Sequence, residues 1–295
     1  MSTHFKTIAL IARQNRPELT ETLETLTTYL QSENYDLLVE THTAKLIPHL
    51  KLKTVAYEEL GKDTDLIIVI GGDGSLLYAA KSALKYNTPI IGVNRGTLGF
   101  LTDINPEEAI EKIGEILAGK YQEERRLVLE AVIHDGHGKI VSQALALNDV
   151  VLLPSKDSAR MIQFDVKINK EFVCSQRSDG LIVATPTGST AYALSGGGPI
   201  LSPEIDAITL VPMFPHTLTM RPIVVSANSK VKITISNNLE TKPRVSCDGE
   251  MPLVIPADGH IHINKSQYTL RLLHPQDYNY YHTLRTKLHW GTALC

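Results

Sequence analysis

The stretch Asp65-Leu-Ile-Ile-Val-Ile-Gly-Gly-Asp-Gly-Ser75 decides the fold of this chain. The apolar run up to Ile70 has no polar interruption, which suits a strand covered on both faces, as in parallel sheets. Three glycines follow, and then Leu76, Leu77, Ala80, Ala83 and Leu84 recur along one side of a helix. A glycine turn between a buried strand and a helix lets the backbone approach a ligand, and the helix start offers free N–H groups to a phosphate. Asp73 in that turn reads in two ways. It can take a proton from a hydroxyl or hold a metal ion beside phosphates, or it can simply cap the helix.

Outward from this unit the first third alternates strand and helix signals. Thr7 to Ala12 and Asp36 to Glu40 read as strands, Leu19, Leu23, Leu26 and Leu30 as a helix face, Pro89 to Val93 as another buried strand, and Ile110, Ile113 and Leu117 as a helix from about Pro106. Alternating β and α elements imply a parallel sheet with helices on its faces. From about Arg125 the signals become short strands and turns. Leu127 to His134 and Lys139 to Leu147 flank Asp135-Gly136, a hairpin signal. Lys230 to Ser236, Arg244 to Cys247, His260 to Asn264 and Tyr268 to His274 extend the β character, and Tyr278, Tyr281, Leu284 and Leu288 suggest a closing helix. The expected fold is an α/β N-terminal domain with a parallel sheet plus a mostly-β C-terminal domain. The expected division is 1–110, 111–275, and a tail 276–295 packing back on the body, the boundary falling between Leu101 and Glu124.

Composition narrows the function. Lys and Arg number 29 against 32 Asp and Glu, a net charge of -3, with no basic block to face nucleic acid. No stretch suits a membrane span, and Met1 to Leu10 lacks a signal pattern. Cys174, Cys247 and Cys295 are far apart, read as small apolar residues, and fit a reduced cytoplasmic protein. His134 and His137 flank the hairpin, and His260 and His262 share a strand face; each pair reads as surface histidine without zinc ligands nearby. There is no Gly-x4-Gly-Lys-Ser/Thr loop, and the first strand lacks the Gly-x-Gly-x-x-Gly dinucleotide fingerprint.

Three further segments carry chemistry. Asn94-Arg-Gly-Thr-Leu-Gly-Phe-Leu-Thr102 leaves the carboxyl end of a parallel strand, where open α/β sheets bind ligands. Asn148-Asp149 interrupts the apolar run Ala144 to Leu153, and this amide and carboxylate match a ribose diol, or else make a turn between strands. Arg177 to Pro199 contains Asp179-Gly180, then Thr185-Pro-Thr-Gly-Ser-Thr190, a helix opening at Ala191, Tyr192 able to stack on a ring, and Gly196 to Gly198.

In this order and spacing the four segments resemble the NAD kinase family in its bacterial form, over nearly the whole chain. The resemblance implies transfer of the terminal phosphate of ATP to the 2′-hydroxyl of the adenosine ribose of NAD, with a divalent ion such as Mg²⁺ and NAD held between the domains. It implies Asp73 as the catalytic residue, Asp73, Gly74 and Phe100 at the NAD, and Asn148 and Asp149 on the adenosine ribose. It places Asp179, Tyr192 and the segment Thr187, Gly188, Ser189, Thr190, Ala191 and Ser195 around the pocket. Gly71, Gly72, Gly74 and Ser75 would meet the phosphates of ATP. Arg177 would reach a neighbouring subunit's site in a homo-oligomer, a dimer or tetramer, and Arg160 is a second basic candidate. The chain has Asn148-Asp149 where the family most often has Asn-Glu, and Asp248-Gly249-Glu250 where it often has Asp-Gly-Gln. A lipid kinase and a non-catalytic dinucleotide sensor are the alternative readings.

Overall fold

The structure is a computed structural model and describes residues 5–13, 17–94, 99–155, 161–236, 243–256 and 258–291. The chain divides into two compact units, 1–125 with 270–295, and 126–269.

The first unit is built on β1 (Thr7–Ala12), α1 (Pro17–Ser32), β2 (Asp36–Glu40), α2 (Thr41–Ala44), β3 (Lys53–Val55), β4 (Leu66–Ile70), α3 (Asp73–Tyr86), β5 (Ile90–Val93) and α4 (Ala109–Leu117). Strands β3, β2, β1, β4 and β5 lie side by side in that order, every neighbouring pair parallel. Leu66 to Ile70 are wholly buried, as an apolar run between two helical layers requires. The core joins Leu19, Leu23, Leu26 and Leu30 of α1 to Ile8, Leu10, Ile68 and Ile70 of the sheet and to Ile113, Ile116 and Leu117 of α4. Asp65 accepts hydrogen bonds from the backbone N–H groups of Lys6 and Thr7, each 2.8 Å, which aligns the starts of β1 and β4. Helix α3 stops at Asn87, whose φ of 55° takes the left-handed conformation typical of a helix end.

Strand β6 (Tyr121–His134) carries the chain into the second unit. There follow β7 (Ile140–Ala146), β8 (Asp149–Leu153), β9 (Ile162–Ile168), β10 (Glu171–Ser178), β11 (Gly180–Ala184), α5 (Tyr192–Ser195), β12 (Ala207–Met213), β13 (Ile223–Ser226), β14 (Val231–Ile235), β15 (Arg244–Cys247) and β16 (Leu253–Val254). β17 (His260–Pro275) then runs back to the first unit, and α6 (Tyr280–Leu288) closes the chain there. One antiparallel sheet has the order β13-β12-β11-β8-β15-β16. A second group pairs β10, β9, β14 and the start of β17 antiparallel, and β6 with β7 as the hairpin expected around Asp135-Gly136. Their inner faces share one core, with Leu129, Phe164, Ile233 and Ile261 from one side and Val150, Leu152, Val183 and Leu210 from the other. The outer face of β8, β11 and β12 is covered too, by Ala193 packing on Val151, Ile182 and Val211. That second layer explains why β8 and β11 read as continuous apolar runs.

Several readings change. His260–Asn264 and Tyr268–His274 are parts of one 16-residue strand, β17, whose buried positions change phase from Ile261 and Ile263 to Ser266, Leu270 and Leu272. Its last residues join the parallel sheet, Leu272 pairing with Ile90. The sequence division at 110/111 and 275/276 differs from the division by contact at Arg125/Arg126 and Thr269/Leu270. The reason is physical for the first boundary: α4 packs its Ile113, Ile116 and Leu117 on the core of the first unit. Cys247 is buried as expected, but Cys174 is half-buried. His134, His260 and His262 are not separate surface histidines. Pairing in the second unit brings them together, half-buried, with ring centroids 4.8–4.9 Å apart.

Candidate active site

In the first unit, Gly71 follows β4 at a φ of 151°, and a side chain there would collide with Ser75. Gly72 is the N-cap of α3, with its carbonyl accepting from Ser75 and Leu76, and no side chain caps the helix. Asp73 is therefore the first helical residue and not the cap. Its carboxylate turns to the segment after β5. Oδ2 accepts from the Phe100 backbone N–H at 2.9 Å, and Oδ1 from those of Leu101 and Thr102 at 3.0 and 3.2 Å and from the Thr102 hydroxyl at 3.1 Å. A Cβ at Gly99 would overlap both this carboxylate and the Thr102 hydroxyl, so glycine is needed for the approach. The two glycine segments that sequence treats separately thus form one local structure, with Asp73 as its centre. Gly74 is exposed, Ser75 buried and Phe100 half-buried. Residues Arg95 to Leu98 lie outside the described residues.

In the second unit, Asn148 sits between β7 and β8, and Asp149 opens β8. The organiser of this corner is Asp248. Its carboxylate accepts from the backbone N–H groups of Leu147 at 2.8 Å, Asn148 at 2.7 Å and Asp149 at 3.2 Å, and its own N–H donates to the Asp149 carbonyl at 3.0 Å. Asp149 is 4% exposed. Burial first, and the neighbouring Asp248 second, push its pKa up to about 7. Asn148, Asp149, Tyr192, Ser246 and Asp248 line a cavity of about 250 Å³. Tyr192, 44% exposed, also borders a cavity of about 530 Å³ with Ser195, Met213, Phe214 and Leu218.

Much of the Thr185 to Thr190 segment braces itself. The Thr185 hydroxyl donates to the Leu147 carbonyl at 2.5 Å, that of Ser189 to the Pro186 carbonyl at 2.6 Å, and that of Thr190 to the Thr187 carbonyl at 3.1 Å. Gly188 is pressed against the Asn148 carbonyl, where any side chain would overlap. Its N–H donates to the Thr185 hydroxyl at 3.1 Å. Hydroxyls that sequence offers to a ligand thus hold the backbone in shape and set Ala191 and Tyr192 at the smaller cavity. Thr187 accepts from Arg126, a side chain only 2% exposed, at 3.4 Å. Arg177 and Asp179 are exposed, and neither lines these two cavities. Glu250 is exposed beyond Gly249 and outside the lining of the smaller cavity. Arg160 lies outside the described residues. Sequence reading missed Asp248, Arg126 and Thr102 as parts of these local structures. The Asp248-Gly249 pair, both at positive φ, was the available signal for the first; Thr102 closes the Asn94 to Thr102 segment, and nothing in the sequence marks Arg126.

The ATP-NAD kinase N-terminal domain family matches residues 8–121, and the ATP-NAD kinase C-terminal domain family matches 147–274. This chain belongs to the ATP-NAD kinase family. The NAD kinase of Coxiella burnetii (strain Dugway 5J108-111) is 53% identical over 97% of this chain and 95% of its own. That of Pseudomonas entomophila (strain L48) is 49% identical over 98% and 97%. Among solved structures, the yeast NADH kinase complexed with NADH matches with a TM-score of 0.90 at 23% identity, covering 99% of this chain and 89% of that one, and shares the fold. The NAD kinase from Archaeoglobus fulgidus in complex with ATP matches with a TM-score of 0.75 at 26% identity, covering 95% and 99%. Both segments described above, the Asp73 turn and the Asn148 corner, fall inside the ATP-NAD kinase family matches.

Proposed function

We infer that this chain phosphorylates NAD to NADP with ATP as the donor. The observation that carries this is the match of NAD kinase relatives at about half identity over nearly the full length. Asp73 has the chemistry for the transfer. Its carboxylate is fixed by four donors, and Oδ2 accepts only one of them, so lone pairs remain on that oxygen for the acceptor hydroxyl. Asp73 orients the 2′-hydroxyl of the adenosine ribose and takes its proton as that oxygen attacks the terminal phosphorus, while the bond from this phosphorus to the bridging oxygen breaks and ADP leaves. Gly71, Gly72, Gly74 and Ser75 present the start of α3 to the phosphates. Most of the rate comes from alignment and charge stabilisation. A divalent ion such as Mg²⁺, bound with ATP, would neutralise phosphate charge, and the carboxylate and carbonyl oxygens of this turn are hard donors of the type such an ion prefers.

Asn148 and Asp149 bind the ribose diol. A carboxyl poised near neutrality in a small cavity accepts or donates to a hydroxyl as needed. Tyr192 stacks on a ring of NAD, with Phe100, Asp179 and the segment from Thr187 to Ser195 contributing to its binding. The enzyme acts as a homo-oligomer in the cytoplasm, with Arg177 serving a neighbouring copy. No helix among the described residues is long and apolar enough to cross a membrane. The test is incubation with ATP, Mg²⁺ and NAD, a coupled assay for NADP, and phosphorus NMR of the product. A dominant 3′-phosphate, or NAD binding without turnover, overturns the reading.

A further inference from the structure

His134 ends β6, and His260 and His262 stand two residues apart on β17, so all three project from the outer face of the second unit while Ile133, Ile261 and Ile263 fill its core. The rings form a near-equilateral triangle, with centroid separations of 4.9, 4.8 and 4.9 Å. One nitrogen from each lies within 4.8 Å of the other two. Nδ1 of His134 is buried without a hydrogen-bond partner among the described residues. A buried ring nitrogen in that state costs free energy until something binds it. Three imidazoles packed together, with no carboxylate hydrogen-bonded to any of them among the described residues, also differ from His274, which is held by Asp103 and Glu124.

We propose that His134, His260 and His262 bind one first-row transition-metal ion of the zinc type, through three imidazole nitrogens with a fourth position open to water. Zn²⁺ accepts imidazole nitrogen at about 2.0–2.1 Å in tetrahedral geometry, so ring rotations of these half-buried side chains close the present spacing. Burial, followed by Lys232 for His260 and by the sister histidines for His262, holds both rings below the usual imidazole range, which favours the neutral, ligating form. Lys232 and Thr234 pair across the ladder with His262 and His260. The Lys232 charge opposes a cation, and Asp135, beside His134, acts in the other sense on His260. The donor set selects against Mg²⁺, which wants oxygen ligands. The ion joins the end of the β6–β7 hairpin to the start of β17, a role separate from phosphate transfer.

The experiment uses tag-free, metal-stripped full-length protein, with Zn²⁺ and then Co²⁺ as probes. Equilibrium dialysis should give one Zn²⁺ per chain, unaffected by millimolar Mg²⁺. Co²⁺ should show the ligand-field absorption of a nitrogen-rich site, and Zn²⁺ should raise Tm by a few degrees. His262→Gln should weaken Zn²⁺ binding by more than about a hundredfold, beyond the roughly 10–100-fold that loss of a group that merely orients a ligand costs. His137→Gln, on the same hairpin but outside the triangle, should bind as the parent does. Circular dichroism confirms that each variant is folded, and the Co²⁺ spectrum of the unaltered protein tests the site without any substitution. Absence of binding at submillimolar Zn²⁺, or equal binding by His262→Gln, overturns the proposal.

Discussion

The Asp73 carboxylate accepts four hydrogen bonds from Phe100, Leu101 and Thr102, whereas the Asp149 carboxyl is buried beside Asp248 and has its pKa raised to about 7. One is surrounded by donors from its own unit. The other faces a small cavity, and the nearby backbone donors go to Asp248 instead. A carboxylate fixed by donors keeps its position and remains an acceptor, which suits a group that must meet a reacting hydroxyl. A buried carboxyl short of donors gains most from a ligand that brings hydroxyls. The first suits reaction and the second selection, although both are Asp at the edge of a buried strand.

Substitutions can break this contrast. Asp73→Asn carries the largest expected effect. Loss of a general base costs about 10²–10⁴-fold in kcat. Because Asp73 is not the helix cap, Asn is not harmless to the fold: its NH₂ must face N–H donors of Phe100 or of Leu101 and Thr102. Stability should fall by about 1–3 kcal/mol. Steady-state kinetics beside a thermal melt checks both, and wild-type kcat would remove Asp73 from the chemistry. Gly99→Ala comes next. Its methyl group displaces the Asp73 carboxylate, and kcat should drop by up to about a hundredfold, as a 1 Å misplacement can cause. If kcat survives while NAD affinity falls, the segment after β5 serves binding instead of catalysis.

Asp149→Asn should act mainly on NAD. KM for NAD should rise by about 10–100-fold, the range of a lost hydrogen bond to a charged partner, with KM for ATP little changed. It also alters pH dependence. The folded pKa of Asp149 lies above the ordinary 3.8, so the folded chain holds the proton longer than the unfolded chain does. The protonated corner stabilises the fold fully below about 3.8 and loses that contribution as pH rises through about 7. The Tm difference between the parent and Asp149→Asn should therefore shift against the parent between pH 4.5 and 7.5; a constant difference would mean that Asp149 is ordinarily acidic. Glu250→Gln is the smallest effect, about twofold or less in KM for NAD, as befits an exposed side chain beyond the cavity lining. A larger change would bring Glu250 into the site.

Much of this fold was legible in sequence because period and apolar continuity report burial directly. The run Leu66 to Ile70 gave a parallel central strand, and Asp135-Gly136 gave the hairpin. The fusion of His260–Asn264 with Tyr268–His274 was hidden because the buried positions change phase between Ile263 and Ser266, and the exposed Lys265 and Gln267 look like a break. In the site, the glycine turn marked Gly71 as a close-approach position, but nothing in the sequence told that Gly99 must accommodate Asp73. Hydrogen bonds between residues 27 or more apart, such as Phe100 to Asp73 and Asn148 to Asp248, leave no local trace. The Thr185 hydroxyl likewise bonds the distant Leu147 carbonyl, while that of Ser189 closes a local turn on Pro186.

The parallel sheet of the first unit takes strands from both ends of the chain, with Leu272 of β17 pairing with Ile90 of β5. During synthesis this imposes a wait. When Arg125 has left the ribosome, Ile104 already pairs with the end of β5, but the edge at Ile90 lacks its partner and Leu273 is missing from the core beside α4. At about 5–20 residues per second, the intervening residues take roughly ten seconds or more to appear. For that interval the nascent unit carries an open strand edge of the kind that invites pairing with other chains. The β-rich unit, contiguous from 126 to 269, has no such delay: it can close its own core before the first unit receives its last strand.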